Sequence, residues 1–209
     1  SANYYGCRVN SNGTMDTSFS GDGLIVTNGG FNADDKAFSM ILNSDDSILY
    51  SGGGYLTTLE YDYFLGLYNA SGSTAVGKAF FDYGSSVKDI AYGMGIDSTG
   101  KIVLTGSNVT SITSSTFGIA RVNADYTVDS TFGTNGKLAL GFYFTEFNAL
   151  AVDNANNIIL SGYQSLVSGF VLRITPAGAL DTTFGNQGIT YFENDMDFLP
   201  RITSIKIAA

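Results

Sequence analysis

The stretch RITPAGALDTTFGNQG, at positions 173–188, decides the fold because versions of it occur twice more in the chain. Residues 121–136 read RVNADYTVDSTFGTNG, and residues 8–23 read RVNSNGTMDTSFSGDG. Four residue types keep their places in all three copies: Arg8, Asp16, Phe19 and Gly23; Arg121, Asp129, Phe132 and Gly136; Arg173, Asp181, Phe184 and Gly188. The copies lie 113 and then 52 residues apart, and 113 is about twice 56, so a further copy is expected between the first two.

A degenerate copy occupies that place. Residues 64–84, FLGLYNASGSTAVGKAFFDYG, keep the strand, Asn69 and Gly72 but lack the Asp-x-x-Phe-Gly stretch. A second landmark, SMILNSDDSILYSG at 39–52, returns as GMGIDSTGKIVLTG at 93–106 and ALAVDNANNIILSG at 149–162, and its beginning returns as SIKIAA at 204–209. Both landmarks give a period of about 52–56 residues, which indicates a repeat architecture.

Each period contains four short segments that alternate or are rich in β-branched and aromatic residues, which predicts four strands. In the third unit these are 90–96, 101–106, 117–123 and 137–142. The turns at 97–100 and 153–156 carry Asp, Asn and Gly, which tolerate the positive φ of a hairpin turn. Four strands in such a period predict an all-β fold of β-propeller blades in a partial or open ring. A β-solenoid of hairpins is the alternative.

The period also predicts how the chain is divided. Residues 1–30 form the last two strands of a blade, and residues 31–86, 87–142 and 143–193 form three complete blades. Residues 194–209 supply the first strand of a further blade. Incomplete blades expose sheet faces and strand edges, so we expect self-association or the remainder of a longer propeller to cover them.

The repeated motif has a structural interpretation and a functional one. Its aspartates could bind calcium or act as catalytic carboxylates, but a motif found in most units serves what the units share, which is packing. We therefore expect the aspartate to cap a turn, the phenylalanine to fill the gap between sheets, and the glycine to begin the outer strand. The arginine is expected to pair with a turn carboxylate or a carbonyl of the neighbouring blade rather than with a ligand.

Composition excludes several classes of function. Lys and Arg number 10 against 19 Asp and Glu, so the net charge is −9 and the isoelectric point about 4.2, which argues against nucleic acid as a partner. With no His and one Cys, imidazole-based catalysis, His-ligated zinc and an internal disulfide are excluded. The single thiol, Cys7, aligns with Ala120 and Leu172 and is expected to be buried and inert. No apolar stretch is long enough for membrane insertion.

The repeat resembles the delta-60 repeat, a bacterial β-propeller repeat. The resemblance rests on GALDTTFGNQG at 178–188, RVN at 121–123 and TGKIV at 99–103, with Ser20 in place of the usual glycine and the second unit departing from the pattern. The resemblance implies a repeat protein that is secreted or exposed at the cell surface. It implies no particular activity.

Ligand binding is expected at what we call the loop face, where second strands lead to third strands and fourth strands lead to the next blade. Variable loops on a regular scaffold commonly carry binding residues. The candidates are acidic and aromatic: Asp34, Asp35, Tyr55, Glu60, Tyr61, Asp62, Tyr63, Tyr143, Glu146, Glu193, Asp195 and Asp197. Glu193, Asp195 and Asp197 offer oxygen ligands that could hold calcium, and aromatic rings beside carboxylates suit stacking on a glycan.

Three functions remain open. A non-catalytic extracellular or cell-surface module for adhesion, ligand binding or scaffolding needs no catalytic group and is the expected function; its partner would be a glycan or protein at a surface. A structural subunit of a surface filament or appendage is the first alternative. The second is a carboxylate-metal hydrolase of lactonase-like propeller type, for which Glu60, Glu146 and Glu193 are the candidate ligands. The sequence points to no catalytic residue, and calcium is the cofactor that its carboxylates could hold.

Overall fold

The chain folds into β-strands connected by turns. The computed structural model describes residues 4–27, 36–55, 61–73, 75–83, 88–111, 114–141, 146–164, 168–193, 202 and 204–207. The strands are β1 (Tyr4–Cys7), β2 (Leu24–Thr27), β3 (Lys36–Leu42), β4 (Ile48–Tyr55), β5 (Tyr61–Tyr68), β6 (Ala75–Phe81), β7 (Lys88–Ile96), β8 (Ile102–Ser111), β9 (Ser114–Val122), β10 (Lys137–Leu140), β11 (Glu146–Val152), β12 (Ile158–Gln164), β13 (Ser168–Ile174) and β14 (Ile189–Glu193). A search of these residues finds no helix with the length and apolar character needed to cross a membrane.

The strands form antiparallel sheets in which each strand pairs with its sequence neighbour. Sheet 1 contains β1 and β2, sheet 2 contains β3–β6, sheet 3 contains β7–β10 and sheet 4 contains β11–β14. The first strand of sheet 3 contacts the first strands of sheets 2 and 4. The first strands of successive sheets therefore lie side by side, as they do around the axis of a propeller.

Alternate residues of a strand face two different neighbouring sheets. On β8, Ile102 and Leu104 belong to the core between sheets 2 and 3, whereas Val103 belongs to the core between sheets 3 and 4. A third core, which includes Phe19 and Tyr50, lies between sheets 1 and 2. Sheet 3 is therefore buried on both faces, and the three consecutive apolar residues at the start of β8 divide between two cores. The sheets stack face to face as blades rather than as a hairpin solenoid.

The hairpin turns have the predicted chemistry. Gly100 has φ +82° and Asn156 has φ +63°, so both adopt the left-handed conformation that the sequence indicated. In each turn the leading aspartate accepts main-chain hydrogen bonds: the Asp97 carboxylate from Thr99 and Lys101, and the Asp153 carboxylate from Ala155 and Asn157. These bonds close the turns between the first and second strands of sheets 3 and 4.

The prediction that Cys7 is buried is wrong. Cys7 is exposed, whereas Ala120 is 0% exposed and Leu172 is 1% exposed. The difference arises because sheets 2 and 3 cover those two residues, while no described residue covers the same face of sheet 1. Tyr5 and Val9, which lie on that face, are 74% and 55% exposed.

The expected strand in 194–209 is not formed by the residues that are described there. Residues 202 and 204–207 belong to no strand, although the Ile202 carbonyl lies 3.4 Å from Ser161 Oγ and accepts its hydrogen bond. The predicted unit boundaries after residues 30, 86, 142 and 193 fall on or next to residues outside the described ranges, so they stay predictions.

Candidate functional site

The repeated arginine and aspartate form an ion pair in each of the three full copies. The Arg Nε atom donates to an Asp Oδ2 atom 2.7 Å away in the pairs Arg8–Asp16, Arg121–Asp129 and Arg173–Asp181. The second carboxylate oxygen accepts bonds from the backbone and hydroxyl of the residue two positions on, as Asp129 does from Thr131. Each aspartate therefore caps its turn and holds its arginine.

These contacts lower the pKa of the aspartates. Burial acts to raise the pKa of Asp129, but the bonds that it accepts from Lys101, Thr131 and Arg121 outweigh burial and hold that pKa well below its usual value. At Asp181 the Thr183 hydroxyl is the main cause of the lowered pKa. Carboxylates that stay charged and fully engaged in this way are structural groups, because a proton-transfer catalyst needs a pKa near the working pH.

The same motif also joins neighbouring sheets. Arg8 Nη1 donates to the Ala70 carbonyl in sheet 2, and Arg121 Nη1 donates to the Pro176 carbonyl in sheet 4. The guanidinium carbons of Arg8 and Arg121 lie 4.5 and 4.6 Å from the ring centroids of Phe19 and Phe132, both fully buried. We call this set of contacts the blade joint.

The blade joint ends on a glycine of the next sheet. A Cβ atom on Gly178, where φ is +82°, would lie 2.5 Å from the Gly133 amide nitrogen and 3.0 Å from the ring of Phe132. A Cβ atom on Gly72 would likewise lie 2.7 Å from the nearest ring atom of Phe19. The turn of the next sheet therefore needs a residue without a side chain to sit against the ring.

The interface between sheets 2 and 3 lacks this joint. The degenerate copy in sheet 2 has no motif phenylalanine, and the position equivalent to Gly72 and Gly178 is Tyr126. Tyr126 keeps a positive φ of +67° and packs against the core of this interface. A tyrosine fits because there is no ring from the preceding sheet for its Cβ atom to strike.

Only some of the predicted ligand residues of the loop face are among the described residues. Asp62 and Tyr63 are described in full and are buried, with 1% and 0% of their surface exposed. Four further candidates lie at strand ends on the loop face: Tyr55, Tyr61, Glu146 and Glu193. The structure describes the main chain of these four residues. The remaining candidates lie outside the described residues: Asp34, Asp35, Glu60, Tyr143, Asp195 and Asp197. The calcium hypothesis for Glu193, Asp195 and Asp197 therefore stays a prediction.

Three carboxylates meet at the loop face of the interface between sheets 2 and 3. Asp62 at the start of β5, Asp82 after β6 and Asp89 at the start of β7 each place an oxygen within 4.8 Å of the other two. Asp62 and Asp89 are buried, and Asp82 is exposed. We call this set the carboxylate triad. Asp62 was predicted as a loop-face residue, but Asp82 and Asp89 were not.

Local hydrogen bonds hold the triad in place. The Tyr83 amide donates to Asp89 Oδ2 at 3.0 Å, and Lys137 Nζ donates to the Asp82 main-chain carbonyl at 2.6 Å. Like charges no more than 4.8 Å apart repel one another, and a cation or a shared proton between the carboxylates relieves that repulsion. Oxygen donors of this kind suit a hard cation such as Ca²⁺.

Two tyrosines line the inner side of the triad. The rings of Tyr63 and Tyr83 lie 5.1 Å apart, and the Tyr63 hydroxyl donates to the Gly118 carbonyl. Burial, together with the negative charge of Asp89, raises the pKa of both phenols well above the usual value. Both hydroxyls therefore stay protonated and can serve as hydrogen-bond donors but not as bases at neutral pH.

Asn108 was not predicted from the sequence. It lies directly opposite Asp89 in the register of β7 and β8, so the two side chains leave the same face of sheet 3 toward sheet 2. Asn108 is 2% exposed, and its Oδ1 atom has no hydrogen-bond partner among the described residues. Register along β7–β8 is the signal that could have linked Asn108 to Asp89.

A second feature of the loop face is an exposed pair of aromatic rings. Phe38 and Tyr92 stand at equivalent bulges of β3 and β7, and their centroids are 4.8 Å apart in an edge-to-face arrangement. They are 46% and 36% exposed. Phe38 also borders a pocket of about 240 Å³ between sheets 1 and 2, which Tyr5, Met40 and Tyr50 help to line.

Comparison with known families supports a β-propeller repeat. Residues 98–132 match a family described as a domain of unknown function (DUF5122) beta-propeller. The fold is a β-propeller. The matched segment runs from the turn before β8 to Phe132 and so contains the Arg121–Asp129 pair of the blade joint. A search of curated proteins found none that matches this propeller chain.

Proposed function

We propose that the chain is a non-catalytic module of an extracellular or cell-surface protein and that it acts in adhesion, ligand binding or scaffolding. The observation that carries the proposal is that the recurrent charged groups of the motif are engaged in holding turns and sheets together. A scaffold of this kind leaves recognition to surfaces that differ between blades. The match to a propeller repeat supports the scaffold, and the resemblance of GALDTTFGNQG at 178–188 to the delta-60 repeat is the ground for proposing an extracellular or cell-surface location.

The exposed rings support a glycan as the ligand. Aromatic side chains with accessible rings stack on the apolar faces of sugars, and nearby carboxylates accept hydrogen bonds from hydroxyl groups. Phe38 and Tyr92 supply two such rings on adjacent inner strands, and the exposed carboxyl of Asp82 lies at the same loop face. We therefore propose that this part of the loop face binds carbohydrate.

A glycan array tests the proposal. We expect the wild-type chain to bind at least one class of carbohydrate at micromolar protein and the double variant Phe38→Ala, Tyr92→Ala to lose at least tenfold in affinity. The matched control is Phe192→Ala, because Phe192 is similarly exposed, at 43%, on a different sheet. An array without signal for the wild type, or equal loss in the control, would reject the glycan proposal.

A second candidate function is a subunit of a surface filament. It is favoured by Phe184 and Gly13, which are the two halves of a blade joint and have no joint counterpart among the described residues. Phe184 is less buried than Phe19 and Phe132. Gly13, equivalent to Gly178, has φ +84° and no described atom within 4 Å of its Cβ position. Phe184 of one copy would pack on Gly13 of the next, and a head-to-tail contact of this kind extends into a filament where the rotation between copies does not close a ring.

Light scattering after size exclusion tests assembly. We expect the wild type to exceed the 22.1 kDa of a single chain and to grow with concentration. Gly13→Asn should return the mass to one chain, because asparagine tolerates positive φ but places a side chain against the incoming ring. Gly100→Asn, at φ +82° in a turn outside any blade joint, is the control and should still assemble. A wild type that stays at 22.1 kDa would reject this candidate.

A further inference from the structure

We propose that the carboxylate triad and Asn108 bind one calcium ion, which joins sheets 2 and 3 at the loop face. Asp62 and Asp82 come from sheet 2, whereas Asp89 and Asn108 come from sheet 3. One ion would therefore hold both sheets. The site goes beyond the proposed binding function, since it would be required whatever the module recognises.

The spacing and the number of protein oxygens suit calcium. Ca²⁺ binds oxygen at about 2.3–2.6 Å, so two ligands on opposite sides of the ion are separated by up to about 5 Å. The triad oxygens lie within 4.8 Å of one another, which allows all three to reach one calcium ion. Mg²⁺ demands near-ideal octahedral geometry and usually keeps several waters with one or two carboxylates, so a site with three carboxylates and an amide oxygen suits calcium better.

Asn108 is an independent indication of a ligand. A buried amide oxygen normally has a hydrogen-bond partner, yet Asn108 Oδ1 has none among the described residues, although the residue is 2% exposed. Its amide group lies beside the ring of Tyr83, since both are within 2.8 Å of the Cβ position of Gly118. The oxygen thus faces the same interface as the carboxylates, and an amide oxygen is a typical calcium ligand.

The proposed calcium site lies at the interface between sheets 2 and 3, which lacks a blade joint. The other two sheet interfaces are held by a blade joint, with Phe19 or Phe132 at its centre. The interface between sheets 2 and 3 has no motif phenylalanine and carries Tyr126 instead of the joint glycine. A calcium ion at the triad would supply, at this interface, the attraction between sheets that the motif provides elsewhere.

Thermal unfolding of the chelated chain tests the proposal. After removal of divalent cations, saturating calcium, ~100-fold above its Kd, should raise Tm by about 5 °C or more, and magnesium should act more weakly. Asp89→Asn should abolish the calcium response, because it removes the charged ligand that sheet 3 supplies. Asp46→Asn, which removes one charge from an exposed turn at φ +62°, is the control and should respond like the wild type.

Terbium luminescence gives a second measurement at the site itself. The chain has no tryptophan, so energy reaches a bound Tb³⁺ ion from tyrosine, and Tyr63 and Tyr83 adjoin the triad. We expect tyrosine-sensitised emission that calcium displaces, that Asp62→Asn and Asp89→Asn remove, and that Asp46→Asn retains. A chain with neither a calcium-dependent Tm nor displaceable emission would overturn the proposal and leave a shared proton as the account of the triad. Equal responses from Asp89→Asn and Asp46→Asn would overturn it as well.

Discussion

Replacing Phe132 with alanine is expected to lower the free energy of unfolding by about 3–5 kcal/mol. The ring is fully buried in the core between sheets 3 and 4, and the Arg121 guanidinium carbon lies 4.6 Å from its centroid. On its other side the ring meets Gly178 of the next sheet. Alanine would leave a cavity at the centre of the blade joint, where the two sheets cannot close without moving their turns.

Urea unfolding followed by circular dichroism measures this loss. The matched control is Phe184→Ala, and both variants are measured in the Gly13→Asn background so that no second copy covers Phe184. The control removes the same ring from the same motif at a half-buried position that has no following sheet among the described residues. We expect the control to lose less than half as much stability. Equal losses at Phe132 and Phe184 would mean that the ring stabilises its own turn rather than the contact between sheets.

Replacing Asp129 with asparagine is expected to lower the free energy of unfolding by about 3 kcal/mol. Asp129 Oδ2 accepts bonds from Arg121 at 2.7 Å and from Lys101 at 2.8 Å, and the side chains of Arg121 and Asp129 are 6% and 3% exposed. Without the carboxylate, the guanidinium would remain buried next to Phe132 with its charge uncompensated. Asp16→Asn is the control, since that pair is more exposed and should contribute less.

The stability difference between wild type and Asp129→Asn should depend on pH. Because the folded chain lowers the pKa of Asp129 from its ordinary value of 3.8, the ionised form stabilises the fold fully above that pH. This contribution is lost as the pH falls below about 4 toward the lower folded pKa. Urea unfolding from pH 7 to pH 2 should show the two chains converging at the acid end. A difference that stays constant over this range would contradict the assignment of the charge.

The sequence predicted the repeat because the motif residues act locally as well as between sheets. Arg121 and Asp129 are eight residues apart and meet across one turn, so their pairing needs only the conformation of a hairpin. Phe132 recurs because every complete joint needs the same ring. The turn residues Gly100 and Asn156 could be predicted for the same reason, since positive φ is a local requirement.

The carboxylate triad could not be predicted in the same way, because its members come from different sheets. Asp62 lies in an acidic loop segment and was a candidate, but Asp82 follows a strand of the degenerate unit and Asp89 reads as an ordinary strand residue. Their meeting depends on how sheet 2 packs on sheet 3. Cys7 was predicted wrongly for a related reason: its strand register was known, but whether another sheet covers it is a property of the assembly.

The repeats also show a correlation between neighbouring units from which the blade joint could be predicted. Gly72 and Gly178 accompany Phe19 and Phe132 in the preceding sheets, whereas Tyr126 follows the unit that lacks the phenylalanine. This correlation between neighbouring units indicates a contact between the ring and the turn. Reading the repeats against one another would therefore have predicted the blade joint and its absence between sheets 2 and 3.

The central claim is that successive sheets stack through the blade joint, and nuclear Overhauser spectroscopy of the isotope-labelled chain tests it most directly. The ring of Phe132 lies 3.0 Å from the Cβ position of Gly178. We therefore predict cross-peaks between the Phe132 ring protons and the protons of Gly178, and equivalent cross-peaks between Phe19 and Gly72. A well-dispersed spectrum of the folded chain in which neither ring shows a cross-peak to the turn of the next sheet would contradict the account.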